Sequence, residues 1–76
     1  MIAHLRGTIL DKGIQSTIID VNGVGYEVFA PASVLNEWTL NEEVNAHIST
    51  VVREDAFQLF GFSSKSQKEA FETLFS

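Results

Sequence analysis

The 76-residue chain has no cysteine, one proline and five glycines. Without cysteine there can be no disulfide and no thiolate metal centre. A domain of this size buries only ~60% of the surface its unfolded chain exposes, so its core is thin and nothing covalent reinforces it. Partner chains or a flanking domain are an expected source of further burial. So little proline and glycine excludes collagen-like and linker-like sequences. Cations are scarce too: five Lys and Arg stand against ten Asp and Glu, a formal charge of −5. An autonomous nucleic-acid binder needs clustered positive charge to neutralise phosphates, and this chain lacks it. No apolar run approaches the ~20 residues of a membrane span. The opening Met1-Ile2-Ala3-His4-Leu5-Arg6-Gly7 lacks the charged and then apolar regions of a secretory signal. The expectation is a cytoplasmic protein without membrane contact.

What is present is an ordinary globular mix, 45% hydrophobic and 20% charged. Most of the chain has strand character. A first strand is predicted over 2–10, ended by Asp11-Lys12-Gly13, and a second over 16–21. Asn22-Gly23 then separates it from a third over 24–30. An Asn-Gly pair between apolar runs is a strong hairpin signal, because both central positions of a type I′ turn need positive φ. Pro31 ends that strand, and Val34, Leu35 and Trp38 are spaced for a short helix over 32–38. A fourth strand runs from Glu42 or Glu43 to about Arg53, with Val44, Ala46, Ile48, Thr50 and Val52 on one face. Asn45, His47, Ser49, Val51 and Arg53 occupy the other face, and a fifth strand covers 56–62. Ser64-Lys65-Ser66-Gln67 has capping-box spacing, and a helix follows with Ala70, Phe71, Leu74 and Phe75 on its apolar face. Lys65/Glu69 and Lys68/Glu72 are expected to pair on its wet side. Three strands, a helix and two strands is the element order of an OB-fold, an all-β five-stranded barrel, here with a C-terminal helix. An SH3-like barrel is the alternative, but it does not account for the helix over 32–38.

Few residues offer chemistry. Gly23-Val24-Gly25 is no dinucleotide fingerprint, since a strand follows where a helix is required and a third glycine is missing. No helices flank it to make a helix-hairpin-helix turn. His4 and His47 have no neighbour at metal-ligand spacing, so no metal or other cofactor is expected. No serine sits in a nucleophile elbow. The aromatics fall mostly at core-compatible spacing, with Phe29 and Val51 as apolar residues on otherwise polar faces, a hint of a subunit contact. The informative segment is Arg53-Glu54-Asp55-Ala56, between two strongly patterned strands. It places two carboxylates side by side at a short turn, although neither is the Gly or Asn that tight turns favour. Such neighbours repel by roughly 1 kcal/mol at ~4 Å even in water. Either this is a solvated turn that keeps the hairpin soluble, or it is an anionic projection that acts on a charged partner.

Several blocks taken together resemble a known family. They are Met1-Ile2 with Leu5-Arg6-Gly7, Val21-Asn22-Gly23-Val24-Gly25-Tyr26-Glu27-Val28, Val51-Val52-Arg53-Glu54-Asp55-Ala56 and Leu59-Phe60-Gly61-Phe62. In this order and spacing they resemble the N-terminal domain of the RuvA family of Holliday junction branch-migration proteins, over essentially the whole chain. The resemblance implies an OB-fold over 1–63, with 64–76 opening a helix-hairpin-helix domain whose remainder is absent. It implies a non-catalytic subunit that forms a homotetramer and binds four-way junction DNA in recombination and repair. It further implies a contact with the ATP-hydrolysing RuvB motor through a domain absent here. Glu54 and Asp55 match the family's acidic pin, which projects at the junction crossover. The pin then repels DNA backbones while cations elsewhere supply affinity, so DNA binding by this piece alone is expected to be weak. His4 departs from the basic residue that relatives often carry there. Two other readings stay open: an OB module for oligomerisation or protein interaction, and an enzyme using Glu54 and Asp55 as an acid–base pair. The second suffers from exposure, which gives no means of separating the two pKa values.

Overall fold

A computed structural model describes residues 1–74. The elements run β1 (His4–Lys12), β2 (Ser16–Val21), β3 (Val24–Phe29), α1 (Ala32–Glu37), β4 (Glu43–Val52), β5 (Phe57–Phe62) and α2 (Lys65–Thr73). The strands close into a barrel in the order β1-β2-β3-β5-β4. Only the β3–β5 pairing is parallel. This is the OB-fold, closed at its shortest seam by Val28↔Leu59 and Phe29↔Phe60.

Closure depends on β1 serving two neighbours. Its first half pairs with β4, from His4↔His47 to Thr8↔Glu43. Its second half pairs with β2, from Thr8↔Asp20 to Lys12↔Thr17. The register slips between Ile9 and Asp11, leaving Leu10 as an extra, exposed residue. Such a bulge bends and twists a strand, which lets β1 continue through Asp11 and Lys12 where the sequence pattern predicts a turn. At the other end the regular strand starts at His4 rather than Ile2. The preceding residues still follow β4, since the Ala3 carbonyl accepts from the Ile48 N–H at 2.9 Å and the Ile2 carbonyl from the Thr50 hydroxyl at 2.7 Å.

The Asn22-Gly23 turn is as expected, with φ of 54° and 90°. Inside the barrel, Ile9, Ile19, Val28, Ala46 and Ile48 are fully buried. Helix α1 closes the barrel with Val34, Leu35 and the Trp38 that follows it, all buried. The Lys12 ammonium donates to the Trp38 carbonyl at 2.6 Å, placing a cation at the C-terminal end of α1. Thr17, buried, satisfies its hydroxyl on the Asp11 carbonyl at 2.6 Å.

Helix α2 begins at the expected capping box. The Ser64 hydroxyl accepts from the Gln67 N–H, and the Gln67 side-chain carbonyl accepts from the Ser64 N–H, both at 3.2 Å. Phe71 anchors the helix on the outside of the barrel, its ring 5.0 Å from that of Phe60 and 5.1 Å from that of Phe62. Phe60 in turn meets Phe29 at 6.0 Å, so Phe29 is half-buried in an aromatic cluster rather than alone on a polar face. Ala70 and Leu74 remain exposed, and Phe75 lies outside the described residues. The charges of α2 reach back to the barrel. Glu72 accepts from the Ser49 hydroxyl at 2.9 Å and Lys68 points at the Ala3 carbonyl at 3.5 Å, where the sequence predicts a Lys68/Glu72 pair.

Candidate functional site

Strands β4 and β5 stay paired to their ends, where Val52 stands opposite Phe57. The Arg53 N–H then donates to the Ala56 carbonyl at 2.7 Å. That bond extends the ladder to Arg53 and Ala56 and leaves Glu54 and Asp55 as the two residues of the hairpin loop. Among the described residues, positive φ outside glycine occurs only at Asn22 and Asn41. The turn therefore makes no demand for Gly or Asn, and two acidic residues occupy it without backbone strain. Both acids are exposed. The Arg53 guanidinium beside them donates its Nε–H to the Gln58 side-chain oxygen at 3.1 Å, across the hairpin. The two carboxylates thus lie side by side at the exposed end of the paired β4–β5 hairpin.

The base of this hairpin is apolar and open. Phe57 is 63% exposed, Val52 70% and Met1 99%. The direct bond between Arg53 and Ala56 makes theirs a hydrogen-bonded register. Val52 and Phe57, one step back, are therefore a non-hydrogen-bonded pair, the closer kind, with Cα atoms about 4.5 Å apart. With Met1, Ile2, Thr50, Arg53 and Ala56 they line a groove of about 490 Å³. Val52 shares a strand face with Val44, Ala46, Ile48 and Thr50. The barrel wall ends before it, leaving the side chain in solvent.

The chain matches the RuvA N terminal domain over residues 1–61. It belongs to the RuvA N-terminal domain family. Similar proteins carry the name Holliday junction branch migration complex subunit RuvA. One from Pseudomonas aeruginosa (strain LESB58) is 47% identical over 75 residues, covering 97% of this chain and 37% of the relative. One from Myxococcus xanthus (strain DK1622) is 46% identical over 72 residues, covering 93% and 36%. One from Corynebacterium glutamicum (strain R) is 43% identical over 74 residues, covering 97% and 36%. The chain spans little more than a third of the length of these relatives.

Within this RuvA-type barrel, the structure brings together one set of residues that the sequence pattern kept apart. His4 and His47 are directly opposed on β1 and β4, their rings 5.9 Å apart in an edge-to-face arrangement. His4 also lines a polar groove with Arg6, Asp20, Glu43 and Asn45. Local spacing could not reveal the pair, because only barrel closure places β1 against β4. Among the described residues, no group of three or more His, Cys, Asp or Glu could hold a metal ion. No described helix is long and apolar enough to cross a membrane.

Proposed function

We propose that this chain is the oligomerisation and DNA-junction scaffold domain of a RuvA-type subunit. In this reading residues 1–63 are the scaffold barrel and 64–76 begin the next domain. The subunit is cytoplasmic, binds four-way junctions and supports branch migration in recombination and repair. It catalyses nothing itself; ATP hydrolysis belongs to a RuvB motor that docks on a part of the protein beyond these residues.

The observation that carries this reading is the exposed Glu54–Asp55 pair at the end of a fully paired hairpin, in a member of this family. DNA backbones avoid two fixed negative charges, and the excess of acid over base leaves little on this domain to attract them. The pin therefore acts by repulsion at the crossover and separates the strands that meet there. Cations outside this domain supply the affinity. Copies of the chain meet through the apolar base of the hairpin at Met1, Val52 and Phe57, forming a homotetramer with its pins gathered at the centre. An exposed apolar patch of this kind marks a contact surface.

Replacing both acids by their amides, E54Q/D55N, in the full-length protein tests the reading. Binding to a four-way junction and to linear duplex is compared at several salt concentrations. Loss of junction selectivity, with tighter binding to duplex, is the expected result. Unchanged selectivity and unchanged branch migration would overturn it.

A further inference from the structure

We propose that His4 and His47 form a two-imidazole site for a borderline divalent ion such as Zn²⁺. The Ile48 N–H bonds directly to the Ala3 carbonyl, so Ala3 and Ile48 make a hydrogen-bonded register. His4 and His47 are one step along the same ladder and are therefore a non-hydrogen-bonded pair, in which opposed side chains come closest. Both point to the outside of the barrel. His4 is exposed and His47 half-buried, so a hydrated ion reaches both.

The ring separation, though not the present edge-to-face orientation, is close to that of a chelate. Two imidazoles on one tetrahedral ion, with metal–nitrogen bonds of about 2.0–2.1 Å, have ring centroids roughly 5 Å apart. The observed separation is 5.9 Å at an interplanar angle of 74°. Small rotations about the side-chain bonds of two incompletely packed rings close the difference. The remaining coordination positions go to water.

The surrounding charges are of both signs. Arg6 lies on the same face of β1, and Lys68 of α2 reaches the neighbouring Ala3 carbonyl. Against them stands Glu72, which α2 holds on Ser49, two residues from His47, while Asp20 and Glu43 lie farther off at the Thr8 register, four residues along β1 from His4. Imidazole is a good ligand for zinc, nickel and copper, and neither calcium nor magnesium is expected to compete. A site with two protein ligands keeps roughly half the binding free energy of a four-ligand zinc centre, which puts its Kd on the order of 10⁻⁶ to 10⁻⁴ M. The ion ties β1 to β4. At a free concentration of 100 Kd it lowers the unfolding equilibrium constant about 100-fold.

Titration of the full chain with ZnCl₂ in a non-chelating buffer, followed by calorimetry and by the histidine NMR signals, tests this. One ion per chain is expected, with both rings shifting together. H4A and H47A each weaken binding at least tenfold, and zinc raises the melting temperature of the wild type but not of H4A. His4 is exposed, so H4A melts like the wild type without metal and decides the matter even if H47A folds poorly. The proposal is overturned by an absence of saturable binding below about 1 mM, or by variants that bind like the wild type. Shifts centred on carboxylates elsewhere, or zinc-driven association of chains instead of binding within one, also overturn it.

Discussion

Val52 and Phe57 face each other across the last regular register of the β4–β5 ladder, directly behind the Glu54–Asp55 turn, and both are largely in solvent. A folded chain gains nothing by exposing this pair, whereas association covers it. Burying a Phe or Val side chain is worth about 1.5–3 kcal/mol. Phe57→Ser in the full-length protein should therefore weaken self-association by roughly tenfold or more per contact, as read by sedimentation at several concentrations. Because Phe57 is already exposed, its unfolding free energy should stay within about 0.5 kcal/mol of the wild type.

Helix α2 is held by Phe71 against Phe60 and Phe62 and by the Ser49–Glu72 hydrogen bond. Phe71 is only half-buried, so Phe71→Ala should cost about 1–2 kcal/mol, less than a fully buried phenylalanine. Hydrogen exchange should show amides of α2 losing protection while those of the barrel strands keep theirs.

Gly61 is buried where β5 passes Val28 and Trp38. A Cβ there would lie 2.5 Å from the Val28 side chain and 3.1 Å from the Trp38 ring. Gly61→Ala should destabilise the fold by about 1–3 kcal/mol through overpacking. The chain has a single tryptophan, so a shift in its emission reports the displacement of Trp38 directly.

Gly23 is different, because nothing would crowd a Cβ there and its φ is +90°. Gly23→Ala should cost about 1–2 kcal/mol by backbone strain alone. Chemical denaturation should show that loss with the denaturant slope unchanged.

Local signals carried the architecture. Asn22-Gly23, the alternation of β4 and the Ser64/Gln67 box each specify their own conformation from neighbours a few residues away, and each appears in the structure. The bulge at Leu10 has no such signal. It follows from the need of β1 to pair with two strands at once. The same non-locality hid the Phe29–Phe60–Phe71 cluster and the opposition of His4 to His47. On α2, helical spacing alone predicts Lys68 beside Glu72, whereas docking gives each a partner on the barrel. The acidic turn was legible as a position and a charge. That it needs no positive φ came only from the backbone.

In the proposed function the Glu54–Asp55 tip lies at the crossover of a four-way junction. Ala56 is exposed at the edge of the turn, and the described chain has no native cysteine to compete with an introduced thiol. Ala56→Cys in the full-length protein keeps both acids and accepts a photo-activated cross-linker. On junction DNA of fixed sequence, the cross-links should fall on the nucleotides that meet at the crossover. Cross-links spread along the arms, or the same pattern on linear duplex, would contradict the account.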